Sequence, residues 1–215
     1  MHPCPGESSE PPLQIKGIMP ILMASNAELG MTEERYRTAP TFDAFLATVE
    51  ENRELWISTY ARAQVEMSVL EAAQAAGEWR LAALSEDWCG DAFNSLPYLA
   101  KLVALAPNLE LRLFSRDQNP DLMDTHLTNG ARSIPVVIAY DANMRERGWW
   151  GPRPSPLQDW FERVGRGMAS DARYREIRRW YAVDRGRTSL REIATLLTEN
   201  PSAQQKGLEK LDRIA

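Results

Sequence analysis

Cys4 and Cys89 are the two cysteines of a 215-residue chain that also holds two histidines, so covalent and acid–base chemistry has few places to sit. Cys89 lies in Ser85-Glu86-Asp87-Trp88-Cys89-Gly90-Asp91, after an apolar run and before a helical pattern. A helix start presents unpaired N–H groups and about half a positive charge. A thiol placed there loses its proton more easily, and the thiolate is the reactive species. The arrangement suits a nucleophilic or redox cysteine; an inert buried thiol is the alternative. Asp91, with Glu86 and Asp87 nearby, opposes thiolate formation, yet a carboxylate there also suits the helix terminus as a cap. Cys4 is the one candidate for a second, resolving thiol. His126 reads as a surface or packing histidine. These numbers of Cys and His support no metal site, and no cofactor is implied.

The surrounding pattern predicts the elements that position Cys89. Residues 1–38 are rich in breakers and polar residues and are expected to be disordered or loosely packed. Thr41 reads as an N-cap for a stripe starting Phe42, Phe45, Leu46 and Val49. The stripe continues to Leu70 as one long helix or as two with a break, and Gly77 ends it. Trp79–Leu84 reads as a buried strand. Leu96, Leu99, Leu102, Val103 and Leu105 recur at helical spacing. Leu109–Phe114 alternates as a strand, and a short helix spans 121–127. Ile134–Tyr140 is a buried strand that starts at a proline, and Asp141-Ala142-Asn143 turns into a returning strand at Met144–Trp150. Helices fill 156–183 and 189–198. Two strands bracketing a helix should be parallel with a right-handed crossover, and the last two form a hairpin. The expectation is one domain over 39–200 with helical extensions, and a polar tail at 201–215.

Composition narrows the partners. Hydrophobic residues make up 44% and charged residues 26%, as in an ordinary globular chain, and the formal net charge is −5. That balance argues against nucleic acid and anionic membrane as partners. The late arginines, Arg163, Arg166, Arg173, Arg175, Arg178, Arg179, Arg185, Arg187 and Arg191, alternate with acids and read as a solvated helix face. Two cysteines make no disulfide framework, so a reducing compartment, the cytoplasm, is expected.

Three motifs fall in order along the chain: Trp88-Cys89-Gly90, Asp117-Gln118-Asn119-Pro120 and Gly130-Ala131-Arg132-Ser133-Ile134-Pro135. Together they resemble the thioredoxin superfamily, over roughly residues 79–165. The first matches the start of the W-C-G-P-C signature and the third resembles G-x-x-x-I-P. The single-cysteine form Trp88-Cys89-Gly90-Asp91 looks like a bacterial branch that keeps only the first cysteine. The resemblance implies an α/β thioredoxin-like fold, a mixed sheet flanked by helices. It places Cys89 at the attacking position and Pro135, as a cis-proline, against it. Ile134 would offer backbone groups to an extended chain; the alternative is a proline that merely starts a strand. The loop Trp149-Trp150-Gly151-Pro152-Arg153-Pro154 would lie beside the cysteine. Trp150 there would serve as an apolar platform and Arg153 would meet Asp91 or the thiolate, unless the tryptophans are core and the arginine solvated.

The departures from the family pattern agree with one another. Ala92 replaces the second cysteine and Asp91 the proline. The buried acid of the family falls on Ala83, and its lysine partner on Leu113. Two functions follow, the first as the expectation and the second as its alternative. One is monothiol exchange, in which Cys89 forms a mixed disulfide with a protein or low-molecular-weight thiol and an external thiol resolves it. The other is a redox-inactive module that binds an extended peptide in the groove at Trp88, Gly90, Pro135 and Trp150. The thiol pKa discriminates: below about 8.5 favours chemistry, above it favours binding or structure.

Overall fold

A computed structural model describes residues 30–199. At its centre β1 (Trp79–Ser85) and β2 (Leu109–Ser115) run parallel, from Trp79 opposite Leu109 to Ser85 opposite Ser115. β3 (Val136–Tyr140) lies antiparallel along the other side of β1, and β4 (Glu146–Trp150) antiparallel beyond β3, giving the order β2-β1-β3-β4. The two inner strands must be apolar on both faces. Accordingly Leu81–Ser85 and all five residues of β3 are buried, whereas the edge strand β4 carries exposed Glu146. Pro135 stands just before β3, where its missing N–H costs no ladder bond.

The first helices differ from the expected stripe. α1 (Glu33–Thr38), α2 (Phe42–Thr48), α3 (Arg53–Arg62) and α4 (Met67–Ala75) are separate. Asn52 takes a left-handed conformation, φ 56°, and the Asp87 carboxylate accepts the Glu50 and Glu51 N–H groups, which fixes the α2–α3 turn. α1 corrects the expectation of a loose segment up to residue 38. Thr32 caps it, Tyr36 is fully buried with its hydroxyl donating to the Leu81 carbonyl, and Arg35 pairs with Asp121. Residues 1–29 and 200–215, with Cys4 and the expected tail, lie outside the described residues.

The crossover from β1 to β2 is α5 (Gly90–Phe93) and α6 (Leu96–Leu105), broken at Asn94-Ser95, where the Ser95 hydroxyl donates to the Asp91 carbonyl at 2.6 Å. α7 is Pro120–Asp124. After β4 come α8 (Ser155–Arg163), a 3₁₀ turn at Gly165–Gly167, α9 (Ser170–Asp184) and α10 (Arg187–Glu199). The glycine-flanked turn divides what the periodicity predicts as one helix. α10 buries Leu190, Ile193 and Leu197 and lies against α4, α6 and β4. No helix among the described residues is long and apolar enough to cross a membrane.

Candidate functional site

Cys89 is the residue just before α5, 6% exposed, and its Sγ–H donates to the Ile134 carbonyl at 3.4 Å. The Ile134–Pro135 peptide is cis, and so is Gly151–Pro152. Burial, and secondarily the Asp91 carboxylate, push the thiol up to about 11. The Ala92 and Asp91 N–H groups and the Arg153 guanidinium pull the other way and lose. Two features of the backbone explain why. α5 is only four residues long, so few aligned peptide dipoles point at the sulfur. A thiol that donates to a carbonyl is also favoured in its protonated form.

Asp91 is nearly buried and enclosed by cationic and neutral donors. Arg153 Nη2 lies 2.6 Å from its Oδ2, and the Tyr181 hydroxyl donates to Oδ1 at 3.0 Å. Burial raises the Asp91 pKa in spite of Arg153. Burial and the neighbouring carboxylate hold Tyr181 well above an ordinary phenol. Arg153 also donates to Gln158 Oε1 at 3.2 Å and lies 4.3 Å from the Phe161 ring centroid. Its planar cation is therefore sandwiched between a carboxylate and an aromatic face, a setting lysine cannot reproduce. Asp91 does not cap α5 through its side chain; it ties α5 to the β4–α8 loop and to α9. Sequence reasoning missed Tyr181. The signal was its spacing of four from Ile177, two buried residues inside an arginine-rich segment read as solvated.

The remaining expected residues divide. Trp88 is 48% exposed beside Cys89, with the Arg116 guanidinium 5.0 Å from its ring centroid. Gly90 is not crowded: a Cβ there would meet only Phe93, at 4.0 Å. Trp150 is corrected. It is 7% exposed, points into the core, and donates from Nε1 to Glu192 of α10 at 2.7 Å, so it offers no platform. Glu86 and Asp87 are occupied with the loop: Glu86 accepts from the Ser115 hydroxyl and the Asp117 N–H, Asp87 from Glu50 and Glu51. Ala83 and Leu113 pair directly across β1 and β2, so both members of the family's proton-transfer pair are apolar in one buried spot. His126 is buried against Trp149 and bonded to Leu122 and Glu146, a packing role. Among the described residues no three His, Cys, Asp or Glu side chains could share a metal ion.

Trp88, Cys89, Asp91, Ile134 and Arg153 line one cleft of about 440 Å³. The Ile134 carbonyl takes the thiol. The Ile134 N–H donates to no described residue. Tyr174, Ile177 and Arg178 of α9 supply a further stretch of wall.

A family model described as Thioredoxin matches residues 39–171. Among curated proteins none matches. Two solved structures superpose on the chain. One is a protein of unknown function from Pseudomonas aeruginosa, with 22% identity, a TM-score of 0.62, and coverage of 81% of this chain and 98% of that one. The other is an HIV epitope-scaffold, with 20% identity, a TM-score of 0.61 and the same coverages. At these identities the likeness is one of fold. A mixed sheet in the order β2-β1-β3-β4, a cysteine just before α5 bonded to the carbonyl of the residue ahead of a cis-proline, and a family match over more than half the sequence lead to one conclusion: the chain belongs to the thioredoxin family.

Proposed function

We propose that this protein is a thioredoxin-fold module that binds an extended polypeptide segment in the cleft lined by Cys89 and Ile134, with Cys89 held as a thiol rather than as an activated nucleophile. The observation that carries this is the thiol's own setting: buried, donating to the Ile134 carbonyl, and beside the Asp91 carboxylate. A rise from 9.0 to about 11 leaves ~100-fold less thiolate at neutral pH. The higher basicity makes each thiolate about tenfold more nucleophilic, so exchange remains about tenfold slower than at an ordinary thiol. Ala92 offers no second sulfur to finish it. Recognition groups, by contrast, are in place. The Ile134 N–H, which donates to no described residue, can join a passing strand by backbone addition, and exposed Trp88 offers a large, stiff apolar face at the cleft.

A second reading keeps monothiol exchange with a protein or low-molecular-weight thiol, because Cys89 does line an open cleft. The two separate cleanly. Alkylation of Cys89 against pH should give a midpoint near 11, and adding an extended peptide should shift the Trp88, Gly90 and Ile134 amide resonances in both the parent and Cys89→Ser. A midpoint below 8, or peptide shifts that vanish in Cys89→Ser, transfers the function to the thiol. A cytoplasmic site of action belongs to this proposal too, since a free buried thiol persists in a reducing compartment.

A further inference from the structure

The charge of the cleft runs against the charge of the chain. The whole protein carries −5, yet four arginines line this cleft, Arg116, Arg132, Arg153 and Arg178, and Asp91 is its one lining carboxylate. Asp91 is already saturated by Arg153 and Tyr181. Arg116 and Arg132 have partners in Asp117 and Asp124, which lie outside the cleft. Arg178 is different: its guanidinium forms no ion pair and no hydrogen bond among the described residues, and the residue is exposed. Tyr174, one helical turn earlier, lies on the same side of α9 and also lines the cleft. α9 in turn is held at the site by the Tyr181–Asp91 hydrogen bond and by Ile177, and it extends past residue 171, where the family match ends.

We infer that the cleft selects an acidic polypeptide segment, and that Arg178 reads its carboxylate; the inference rests on the peptide-binding function proposed above. A guanidinium presents a planar fork of donors that fits a carboxylate bidentately, so an unpaired one on the cleft wall suits recognition of an acidic side chain. An extended segment paired to the Ile134 N–H turns every second side chain to the same face, about 7 Å apart. One acidic side chain in that series is enough to meet Arg178, while its neighbours rest on Trp88.

The test uses labelled octapeptides of alternating valine and glutamate, their valine–glutamine counterparts, and a short oligothymidylate that carries charge without a peptide backbone. At low salt the acidic peptide should bind about fivefold more tightly than the amide one, the upper end for an exposed ion pair, and the margin should shrink as salt screens it. Arg178→Ala should erase the preference. Arg175→Ala, on α9 but outside the cleft, should keep it. If both peptides bind equally, or Arg178→Ala still prefers glutamate, selection by Arg178 is overturned while peptide binding stands. Oligothymidylate binding as tight as the acidic peptide would reduce the effect to charge alone and also overturn it. If no peptide binds, the proposed function fails together with this inference.

Discussion

At Cys89 two charges of opposite sign compete, and their separate removal distinguishes them. Asp91 stabilises the protonated thiol, whereas Arg153 favours the thiolate. Asp91→Asn keeps the shape of the side chain, removes the carboxylate charge, and frees Arg153 to act on the sulfur. Alkylation of Cys89 at pH 8 should therefore become several-fold faster, and the titration midpoint should move down from about 11. Arg153→Ala should do the reverse and slow alkylation. It should also be the costlier change for folding. It leaves buried Asp91 without its cation and with only the Tyr181 hydroxyl for support, a loss of about 3–5 kcal/mol by the measure of broken buried pairs. Equal rates in both variants would mean that neither group is electrostatically coupled to the thiol.

The elements meet at a close approach of two backbones. Gly151, at the end of β4, has φ +132°, and a Cβ there would lie 2.1 Å from the Pro135 carbonyl oxygen. Only glycine lets the β4–α8 loop run this near to residue 135, and that nearness delivers Arg153 to Asp91. Gly151→Ala should cost upwards of about 2 kcal/mol, from positive φ and overlap together. It should also open the Arg153–Asp91 pair, measured as a drop in denaturation midpoint with a parallel change in Cys89 reactivity. The motif Trp149-Trp150-Gly151-Pro152-Arg153 announced this loop beside the cysteine, and the pairing of Arg153 with Asp91 could be anticipated because one loop and one helix start carried opposite charges. The inward turn of Trp150 was one of two open readings, and the sequence did not choose between them. Alternation along β4 fixes which residues share a face, but what lies over that face is α10, more than thirty residues away in sequence. The four strands were legible because β1 and β3 are short apolar runs, β2 alternates with period two, and the turn at Asp141-Ala142-Asn143 sends the chain back as β4. The place of the first break, at Asn52, and the breaks at Ser95 and Gly165 were not, since Asp87 fixes the first from a loop distant in sequence, Ser95 bonds back to the Asp91 carbonyl, and the third lies in a segment whose periodicity runs on across it. α9 was misread for a similar reason: its arginines set the composition, while its two buried residues, Ile177 and Tyr181, set its place.

Across the whole molecule, burial holds several acidic groups in their neutral forms at once. Cys89, Tyr36, Tyr140 and Tyr181 are all raised, with burial the leading cause in each. A group whose folded pKa exceeds its unfolded value gives stability that is complete below the unfolded value and is lost as pH climbs toward the folded one. For Cys89 that window runs from 9.0 to about 11, while the phenols start from 10.0. The thiol is thus the first of the four to act on stability, and its full contribution is up to about 2–3 kcal/mol. Urea midpoints should fall between pH 9 and 11 in the parent protein. Cys89→Ser replaces the thiol by a hydroxyl that does not ionise in this range and can still donate to Ile134, so it should blunt the fall, most clearly between pH 9 and 10. General charge repulsion in a chain that is already −5 grows equally in both proteins and cancels in the difference. Parallel loss of stability in the two would mean that the thiol titrates normally, and the case for a resting, unreactive Cys89 would fall with it.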